Sequence, residues 1–435
     1  MEGREDLFVM LAKAIPATGD WELQGNRGKT VINRFARLIR QGVDDPRQAG
    51  KVTYPLHEII VLTFFAVLAG ADSFSAVASC CSYKEKFFRK FLSLEHGIPT
   101  HDTFNRVFAL IDVEQLEQAV VAFVTQSFEQ LRSALKIPVP KHNQICIDGK
   151  VSRGSGRCPD SSREIKDIQT LHVYSTEDGI CLHSRQIDEK TNEIPTAQQI
   201  LATMNLRDTL VSFDAMNTQK ETVRIIVDRK GFYIGGLKGN HQTMLEECAS
   251  WFDAAYLQQV KDDQQLRYRY VEKAHNQIEI MDFTLVRIQT AEGSYFAEWP
   301  GIKSILRYDK QTEHLVTGKK TQEVRYYITN LSGGVREAAL AVRTHWQVES
   351  FHWLLDVVFF DDANSTVNKR ASGNMTLLKK MALSLYRMMK PLEQAPTISE
   401  IKRLFAYGYE DGVKRLLARC DKTAISNALI HCRSK

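Results

Sequence analysis

Three carboxylate residues stand out in this sequence, because neighbouring apolar residues would tend to bury each of them. Asp148 and Asp214 each follow a short apolar run, CI and SF, and a small residue, Gly149 or Ala215, comes next. Glu349 lies within RTHWQVESFHWLLDVVFFDD, in which most other positions are apolar. Since an unpaired buried charge is strongly unfavourable, we expect these carboxylates to be solvated, paired or bound to a metal.

Three such carboxylates in one place would suit metal-assisted chemistry at phosphorus. Mg²⁺ prefers oxygen ligands and keeps open positions for phosphate and water. Two ions about 3.5–4 Å apart activate the attacking oxygen and stabilise the leaving oxygen of an in-line displacement. A single aspartate at the end of a strand is more often a turn or cap residue, but this explanation weakens when three carboxylates converge. A glycosidase also uses paired carboxylates, although nothing else in the sequence indicates a sugar cleft.

The segment 343–362, which carries Glu349, is predicted to form one helix. At 100° per residue, His345, Glu349, His352 and Asp356 fall on one stripe, and apolar residues cover most of the remaining surface. A helix that is apolar nearly all round is typical of a protein core, so we expect its tryptophans to be core residues. Within the stripe, Glu349 is the candidate for chemistry and Asp356 is expected to be structural.

A sheet would position the two aspartates, and the sequence pattern of residues 141–242 predicts one. The order of elements there is strand, strand, strand, helix, strand, helix, strand, which indicates a mixed α/β layer with some parallel pairing. Reactive groups in open α/β sheets gather at strand ends. Residues 243–333 contain four further strand-like runs, LRYRYVEK, QIEIMDFTLVRI, KSILRYDK and EVRYYITN, and are predicted to be a mostly β insertion. Helices are predicted for NMTLLKKMALSLYRMMK and for the basic ISEIKRLFAYGYEDGVKRLLARC.

The chain before residue 141 is predicted to be all-α. A short helix, a Gly/Pro break and a second helix carrying Arg106 fit either a DNA-binding helix-turn-helix or an αα-hairpin within a bundle. The predicted segments are an N-terminal extension (1–25), a helical DNA-binding domain (26–140), the catalytic domain in two parts (141–242 and 334–390), the β-rich insertion between them (243–333) and basic C-terminal helices (391–435).

Composition is that of an ordinary globular protein, with 43% hydrophobic and 25% charged residues and a net charge of +5. From residue 363 onward there are 14 Lys and Arg against 5 Asp and Glu, which fits either contact with a polyanion or a solvated helical surface. The eight cysteines show no zinc-finger spacing, and reduced thiols are expected. The longest apolar run, 59–71, is too short to span a bilayer of ~30 Å.

Five runs, in this order, resemble the ISAs-type, H-repeat-associated insertion-sequence transposases: DGKVSRGS, EKTNEIP, FDAMNTQ, LKGNHQ and HWQVESFHWLLDVVFFDD. The resemblance extends upstream to YPLHEIIVLTFFAVLAGAD and GIPTHDTFNRVF, and covers roughly residues 27–390. This family belongs to the DDE transposases, whose catalytic domain is RNase H-like with an insertion before the helix that bears the glutamate. The resemblance therefore implies a metal-binding triad of Asp148, Asp214 and Glu349, the residues that the strand and helix patterns nominate.

The resemblance also implies cofactors, partners and a cellular setting. It implies two Mg²⁺ ions, with Mn²⁺ able to substitute, and double-stranded DNA as substrate, both the terminal inverted repeats of the element and the target DNA. A homodimer is expected, because two element ends must be held together in a synaptic complex. We expect a bacterial cytoplasmic protein associated with the nucleoid. Two alternatives remain open: a silent or domesticated relative that only binds DNA, and an RNase H-like nuclease without strand transfer.

Further residues are predicted to contact DNA or phosphate because of where they fall in these runs. They are Lys150 and Arg153 after the first aspartate, Gln219 after the second, Lys238, Asn240 and Gln242 after the last strand of residues 141–242, His345 and His352 beside Glu349, and Arg106 in the N-terminal region. One departure from the family pattern lies in the insertion. Many relatives have His-Gly-Arg-Ile-Glu there, whereas this chain has His275-Asn-Gln-Ile-Glu279 and lacks that basic residue.

Overall fold

A computed structural model describes most of the chain. The described residues are 27–137, 143–152, 167–187, 192–274, 276–288, 295–363 and 368–433. The predicted extension at residues 1–25 and the side chain of Arg153 lie outside them. Within these ranges, no helix is both long enough and apolar enough to cross a membrane.

The N-terminal region is helical, as predicted. In the described residues before the sheet, the helices are α1 (Arg27–Gly42), α2 (Leu56–Leu68), α3 (Phe74–Tyr83), α4 (Glu85–Phe88), α5 (His101–Phe108) and α6 (Val113–Leu135). Nearly every residue of α2 is buried, which its uninterrupted apolar run explains. Asp112 caps α6, since its side chain accepts a hydrogen bond of 2.9 Å from the backbone N–H of Gln115.

The helices on either side of the Gly/Pro break do not form a helix-turn-helix. Residues 89–100 separate α4 from α5, whereas that motif joins its helices by a turn of 3–4 residues. Helix α5 instead packs against α3 and against a later helix, Lys369–Leu392. The structure therefore favours the alternative, helices packed in a bundle.

The predicted strand and helix order of residues 141–242 is confirmed. Strands β1 (Asn143–Ser152), β2 (Ile168–Ser175) and β3 (Ile180–Ile187) are followed by α7 (Glu193–Thr203), β4 (Thr209–Phe213), α8 (Lys220–Asp228) and β5 (Phe232–Leu237). The first three strands pair antiparallel, and β4 and β5 run parallel to β1 in the order β3-β2-β1-β4-β5. This is the RNase H-like mixed sheet that the family resemblance implied.

The predicted β insertion is mostly β, but it is not a separate layer. It contains α9 (Gln242–Ser250), α10 (Ala254–Gln259), β6 (Arg267–Ala274), β7 (Gln277–Arg287), β8 (Ser304–His314) and β9 (Lys320–Thr329). Strand β9 pairs antiparallel with β5, so that all nine strands form one sheet. The insertion therefore extends the catalytic sheet from its β5 edge.

The helix predicted for residues 343–362 is divided in the structure. Helix α11 (Val335–His345) ends before Trp346, and α12 (Gln347–Phe359) begins after it. At the junction the N–H of Trp346 donates to the carbonyl of Arg343, three residues back, which replaces the α-helical hydrogen bond to the fourth. The prediction of one continuous helix is thus wrong. Side-chain periodicity does not reveal a local change in backbone hydrogen bonding.

Four more helices follow in the described part of the chain: α13 (Lys369–Leu392), α14 (Ile398–Tyr407), α15 (Tyr409–Arg419) and α16 (Lys422–Arg433). The run predicted as a single basic helix is broken at Gly408, between α14 and α15. Glycine is the least costly residue at such a break, since it imposes no Cβ on the turn.

Three apolar clusters place the helices around the sheet. One face of the sheet packs against α7, α8 and α9, and α11 covers β7 and β8 on the opposite face. The third and largest cluster joins α1–α6 to α12–α16 and to one face of β1–β3. The N-terminal and C-terminal segments that the sequence suggested as separate units therefore share one hydrophobic core.

Candidate active site

Asp148 and Asp214 lie side by side in the sheet. Parallel strands β1 and β4 are paired up to Ile147 and Phe213, the residues that precede the two aspartates. Strand β4 ends there, whereas β1 continues to Ser152 while paired only with β2. Asp148 is therefore not at the end of its strand, as the sequence suggested, but at the point where β1 separates from β4.

Local hydrogen bonds hold the carboxylate of Asp214. Its Oδ1 accepts hydrogen bonds from the backbone N–H and the side-chain amide of Asn217, at 3.1 and 3.3 Å. Asn217 is fully buried, and its Oδ1 has no hydrogen-bond partner. The carboxylate of Asp148 accepts a 3.0 Å hydrogen bond from the N–H of Gly149. Each aspartate is thus oriented by backbone of its own turn.

Glu349 lies in the first turn of α12, and its carboxylate is exposed. The helix buries only one face, made of Val348, Phe351, Leu355, Val358 and Phe359. Trp353 and Val357 are 61% and 47% exposed, so the prediction that the helix and its tryptophans are core does not hold on this side. Glu349 is therefore a solvated carboxylate at the rim of the site rather than a buried charge.

A fourth carboxylate, which the sequence did not nominate, belongs to the same group. Glu193 is the first residue of α7, and its side chain lies directly against the Cα of Gly149. It hydrogen-bonds with Asn217 and interacts electrostatically with Asp214. The signal was present in the run EKTNEIP, but an acidic residue in the first turn of a helix is usually explained by the helix dipole.

Burial and neighbouring carboxylates raise the pKa of two of the four groups, Asp148 and Glu193. Burial, then the charges of Asp214, Glu193 and Glu349, raise the pKa of Asp148 to about 7, although the Gly149 N–H opposes them. Burial and Asp214 likewise raise the pKa of Glu193. In the part of the chain that the structure describes, no Lys or Arg forms a salt bridge with any of the four. Within the described ranges, the negative charge of the site is therefore not paired with a Lys or Arg.

The two histidines predicted to contact DNA are turned toward the protein. His345 Nδ1 lies 3.0 Å from Ser212 Oγ, and His352 lies between His172, at 2.7 Å, and Asp148, at 3.6 Å. Burial lowers the pKa of His345 to about 4, against the opposing charge of Asp214. Burial and the nearby Lys150 and Lys380 lower that of His352 to about 3. Both rings are neutral at pH 7 and hydrogen-bond within the protein, while their contact with DNA stays a prediction.

Lys150 is buried among three carboxylates. Only 7% of the residue is exposed, and its ammonium group lies 2.7, 3.5 and 3.0 Å from carboxylate oxygens of Asp356, Asp361 and Asp362. Burial acts to lower the pKa of Lys150, but these three carboxylates outweigh it and raise the pKa. The residue anchors the end of α12 to β1, and its contact with phosphate stays a prediction. Asp356 has the structural role that was expected.

The loop after β5 lies beside Asp214. Asn240 Nδ2 donates a 2.8 Å hydrogen bond to the carbonyl of Ala215, and His241 Nε2 lies 3.2 Å from the same oxygen. Lys238, Asn240 and Gln242 are exposed. Gln219 donates to the carbonyl of Met216 at 3.0 Å, and Arg106 is exposed on α5, in the helical bundle. This loop therefore presents three exposed polar residues beside Asp214.

Some of the Lys and Arg residues counted from residue 363 onward are buried. Lys379, Lys380 and Arg419 are 1–2% exposed, and Arg419 pairs with Glu393 at 2.5 Å. The sequence count therefore overstates the positive charge that these helices present to solvent. A separate cavity between the start of α6, β2–β3 and α13 is lined in part by Asp361 and Lys380, and none of the four site carboxylates lines it.

The donor chemistry fits divalent cations that prefer oxygen. The four carboxylates and the unpartnered Oδ1 of Asn217 are hard oxygen ligands of the kind that Mg²⁺ binds. In the described residues, no three His, Cys, Asp or Glu side chains converge on one point closely enough to hold an ion. The arrangement is therefore a set of neighbouring carboxylates that do not converge on one point.

Comparisons with known proteins identify the family of the chain. The model of a family described as "Transposase DDE domain" matches residues 139–385, and that of an associated domain, "DDE_Tnp_1-associated", matches residues 40–124. A protein named "Putative transposase YncI" from Escherichia coli O157:H7 is 28% identical over 360 residues, which cover 81% of this chain and 87% of that protein.

Two further proteins are similar to the chain. The "H repeat-associated putative transposase YhhI" of Escherichia coli strain K12 is 28% identical over 323 residues, which cover 74% of this chain and 82% of that protein. A cryo-EM structure of the piggyBac transposase in a synaptic complex with hairpin DNA aligns with 98% of this chain and 82% of its own. Its TM-score is 0.37 and its sequence identity 10%.

Proposed function

Because this chain belongs to the transposase DDE domain family, we propose that it cuts DNA at the ends of its own insertion sequence and joins them to target DNA. The H-repeat-associated relatives confirm the family resemblance that the sequence motifs indicated. One observation carries the proposal. Asp148 and Asp214 follow paired residues of adjacent parallel strands, and Asp148 interacts electrostatically with both Asp214 and Glu349.

In the proposed reaction, Asp148, Asp214 and Glu349 hold divalent metal ions, with Mg²⁺ as the expected ion and Mn²⁺ as a substitute. When bound, these ions supply activation of water or of a 3′-hydroxyl and stabilisation of the leaving oxygen at phosphorus. Asp214 presents a carboxylate that Asn217 orients through Oδ1. Asp148 must lose its proton to become a ligand, and Glu349 approaches from the open side of the site on α12.

The proposed DNA path runs over the exposed side of the carboxylates. The loop with Lys238, Asn240 and Gln242 is held against Ala215, one residue after Asp214, so its exposed polar groups are suited to contact phosphates beside the scissile bond. We assign recognition of the terminal inverted repeats to the N-terminal helical bundle, where Arg106 is exposed. Two chains acting as a dimer would hold the two element ends together.

The proposal is tested with DNA carrying the inverted repeats that flank the gene. Wild-type protein with Mg²⁺ is expected to nick these ends and to join the 3′-hydroxyls to a plasmid. Asp148→Asn and Glu349→Gln should bind the same DNA in a gel-shift assay but lose cleavage by a factor of at least about 10³, since each removes a metal ligand. Glu221→Gln, in the first turn of α8 and exposed, serves as the matched control.

Each alternative has its own outcome in this assay. Cleavage that survives both substitutions would refute the assignment of the triad. Cleaved ends that never join the plasmid would indicate a nuclease without strand transfer. Binding of the inverted repeats by wild-type protein without any cleavage, in Mg²⁺ or Mn²⁺, would indicate a relative that only binds DNA.

A further inference from the structure

Glu193 occupies a position that leaves no room for another side chain. Its carboxylate lies against Gly149, the residue that follows Asp148, and a Cβ atom on residue 149 would come within 2.6 Å of Glu193 Cδ. Helix α7 thus places the carboxylate of Glu193 against the backbone next to Asp148. The glycine at 149 allows this approach because it has no Cβ.

We propose that Glu193 is a fourth carboxylate ligand of the divalent metal ions, beside Asp148, Asp214 and Glu349. The inference rests on the function proposed above and adds a residue to its metal site. The four ligands then come from different elements: β1, the end of β4, and the first turns of α7 and α12. Glu193 and Glu349 complete the set with carboxylates from two helices.

The N-terminal end of α7 is capped without Glu193. Asn192 already caps the helix, since its side chain accepts a 3.1 Å hydrogen bond from the N–H of Ile194. An acidic residue that only complements the helix dipole does not need to be buried, because the dipole interaction also works at an exposed position. Glu221, in the first turn of α8, is such a residue and is exposed. Glu193 is instead partly buried and directed at Gly149.

Asn217 gives an independent indication of a cation at this place. It is fully buried, its amide nitrogen donates to Asp214, and the side chain also hydrogen-bonds with Glu193. It therefore ties the two carboxylates together. Its own Oδ1 has no partner, and a buried acceptor without a partner costs about 1–3 kcal/mol. The amide nitrogen faces both carboxylates, so a half-turn of the amide would bring Oδ1 toward the space between Asp214 and Glu193, where a cation or its bound water would supply that partner.

The test measures metal binding by the full-length chain rather than its activity. Mn²⁺ alone is titrated into the protein, and the loss of the free Mn²⁺ signal is followed by electron paramagnetic resonance. We expect Glu193→Gln, which keeps the size of the side chain, to weaken Mn²⁺ binding at least about tenfold, since even residues that only support metal ligands cost 10–100-fold. Glu221→Gln should bind as the wild type does.

A second measurement separates a ligand from a purely structural residue. Melting of the metal-free protein is recorded with a chelator present. If Glu193 is a ligand in an uncompensated acidic site, Glu193→Gln removes repulsion, so the metal-free melting temperature stays equal or rises while stabilisation by Mn²⁺ shrinks. A lower metal-free melting temperature together with unchanged Mn²⁺ affinity would overturn the inference. If Glu193→Gln does not fold, Glu193→Asp, which keeps the charge on a shorter side chain, is compared in the same way.

Asp148→Asn distinguishes failure of this inference from failure of the proposed function. If Asp148→Asn loses Mn²⁺ binding while Glu193→Gln keeps the wild-type affinity, only the role of Glu193 is refuted. If neither substitution changes Mn²⁺ binding and the wild type does not cleave element ends, the metal site and the proposed function fail together.

Discussion

The raised pKa of Asp148 makes divalent cation binding depend on pH in a range where ordinary carboxylates do not titrate. Burial and the charges of Asp214, Glu193 and Glu349 raise this pKa from 3.8 to about 7. A metal ligand must be deprotonated, so protons compete with the metal. We therefore expect affinity for Mg²⁺ or Mn²⁺ to rise between pH 6 and pH 8 and then to level off.

The magnitude follows from the fraction of deprotonated Asp148. With a pKa of about 7, about one molecule in ten is deprotonated at pH 6 and about nine in ten at pH 8, so apparent affinity changes about tenfold, or about 1.4 kcal/mol. His345 and His352 do not contribute, because their pKa values of about 4 and about 3 lie below this range. Ionisation of Asp148 also affects the metal-free protein. There, a rise in pH lowers the stability of the fold.

In the metal-free protein the folded state holds the proton of Asp148 more tightly than the unfolded state does. The free energy of unfolding therefore falls as pH rises from about 4 to about 7, by about 2–4 kcal/mol for a shift of roughly three units on a side chain that is 25% exposed. Metal added above pH 7 should restore this stability, since it neutralises the same charge. Asp148→Asn removes the titrating group and should flatten the profile.

Isothermal titration calorimetry at pH 6, 7 and 8, in two buffers with different ionisation enthalpies, tests the reasoning. At pH 7 about half a proton should be released for each Asp148 that becomes a ligand. Urea denaturation with a chelator, over the same pH range, measures the free energy of unfolding of the metal-free protein. An affinity that is constant from pH 6 to pH 8, with no proton release, would show that Asp148 is ionised well below pH 7 and would refute the electrostatic argument.

Three further predictions concern the surroundings of the site. Lys150→Met should lower the free energy of unfolding, measured by urea denaturation, by about 3–5 kcal/mol, because it leaves the carboxylate partners of Lys150 at the end of α12 without their cation. Lys238→Met, at an exposed position, is the control. Gly149→Ala should lower the melting temperature through overlap with Glu193, and Glu193→Ala in the same chain should recover most of the loss; strictly additive losses would contradict the contact. Lys238→Ala should weaken binding to duplex DNA and reduce the slope of log affinity against log salt by about 1 in fluorescence anisotropy; an unchanged slope would remove Lys238 from the proposed DNA path.

The sequence predicted the parts of the site that depend on local pattern. Apolar runs placed Asp148 and Asp214 at the ends of strands, and the order of elements predicted a mixed sheet with some parallel pairing. The structure alone shows that β1 and β4 are the parallel neighbours. The four strand-like runs of residues 243–333 are strands in the structure. Their continuity with β5 depends on one edge pairing, which no local pattern encodes.

The remaining parts depend on contacts between residues far apart in the chain. Lys150 lies two residues after Asp148, where a phosphate contact was predicted, and two of its three carboxylate partners, Asp361 and Asp362, lie 211 and 212 residues later. Helical periodicity identified the polar stripe of α12 but not the side that the protein covers, so Trp353 was expected in the core and is exposed. Glu193 was missed because its position at a helix start has an ordinary local explanation.

The shared core of the N-terminal and C-terminal helices has a consequence for how the chain is made. Arg34 donates a 3.1 Å hydrogen bond to the carbonyl of Cys420, 386 residues later, and Arg27 pairs with Asp421 across 394 residues. Contacts so distant in sequence close late and slowly. While the chain is still on the ribosome, α1 and α6 lack the helices that complete their core. A frameshift late in the gene would therefore disrupt the first helices of the protein as surely as its last ones.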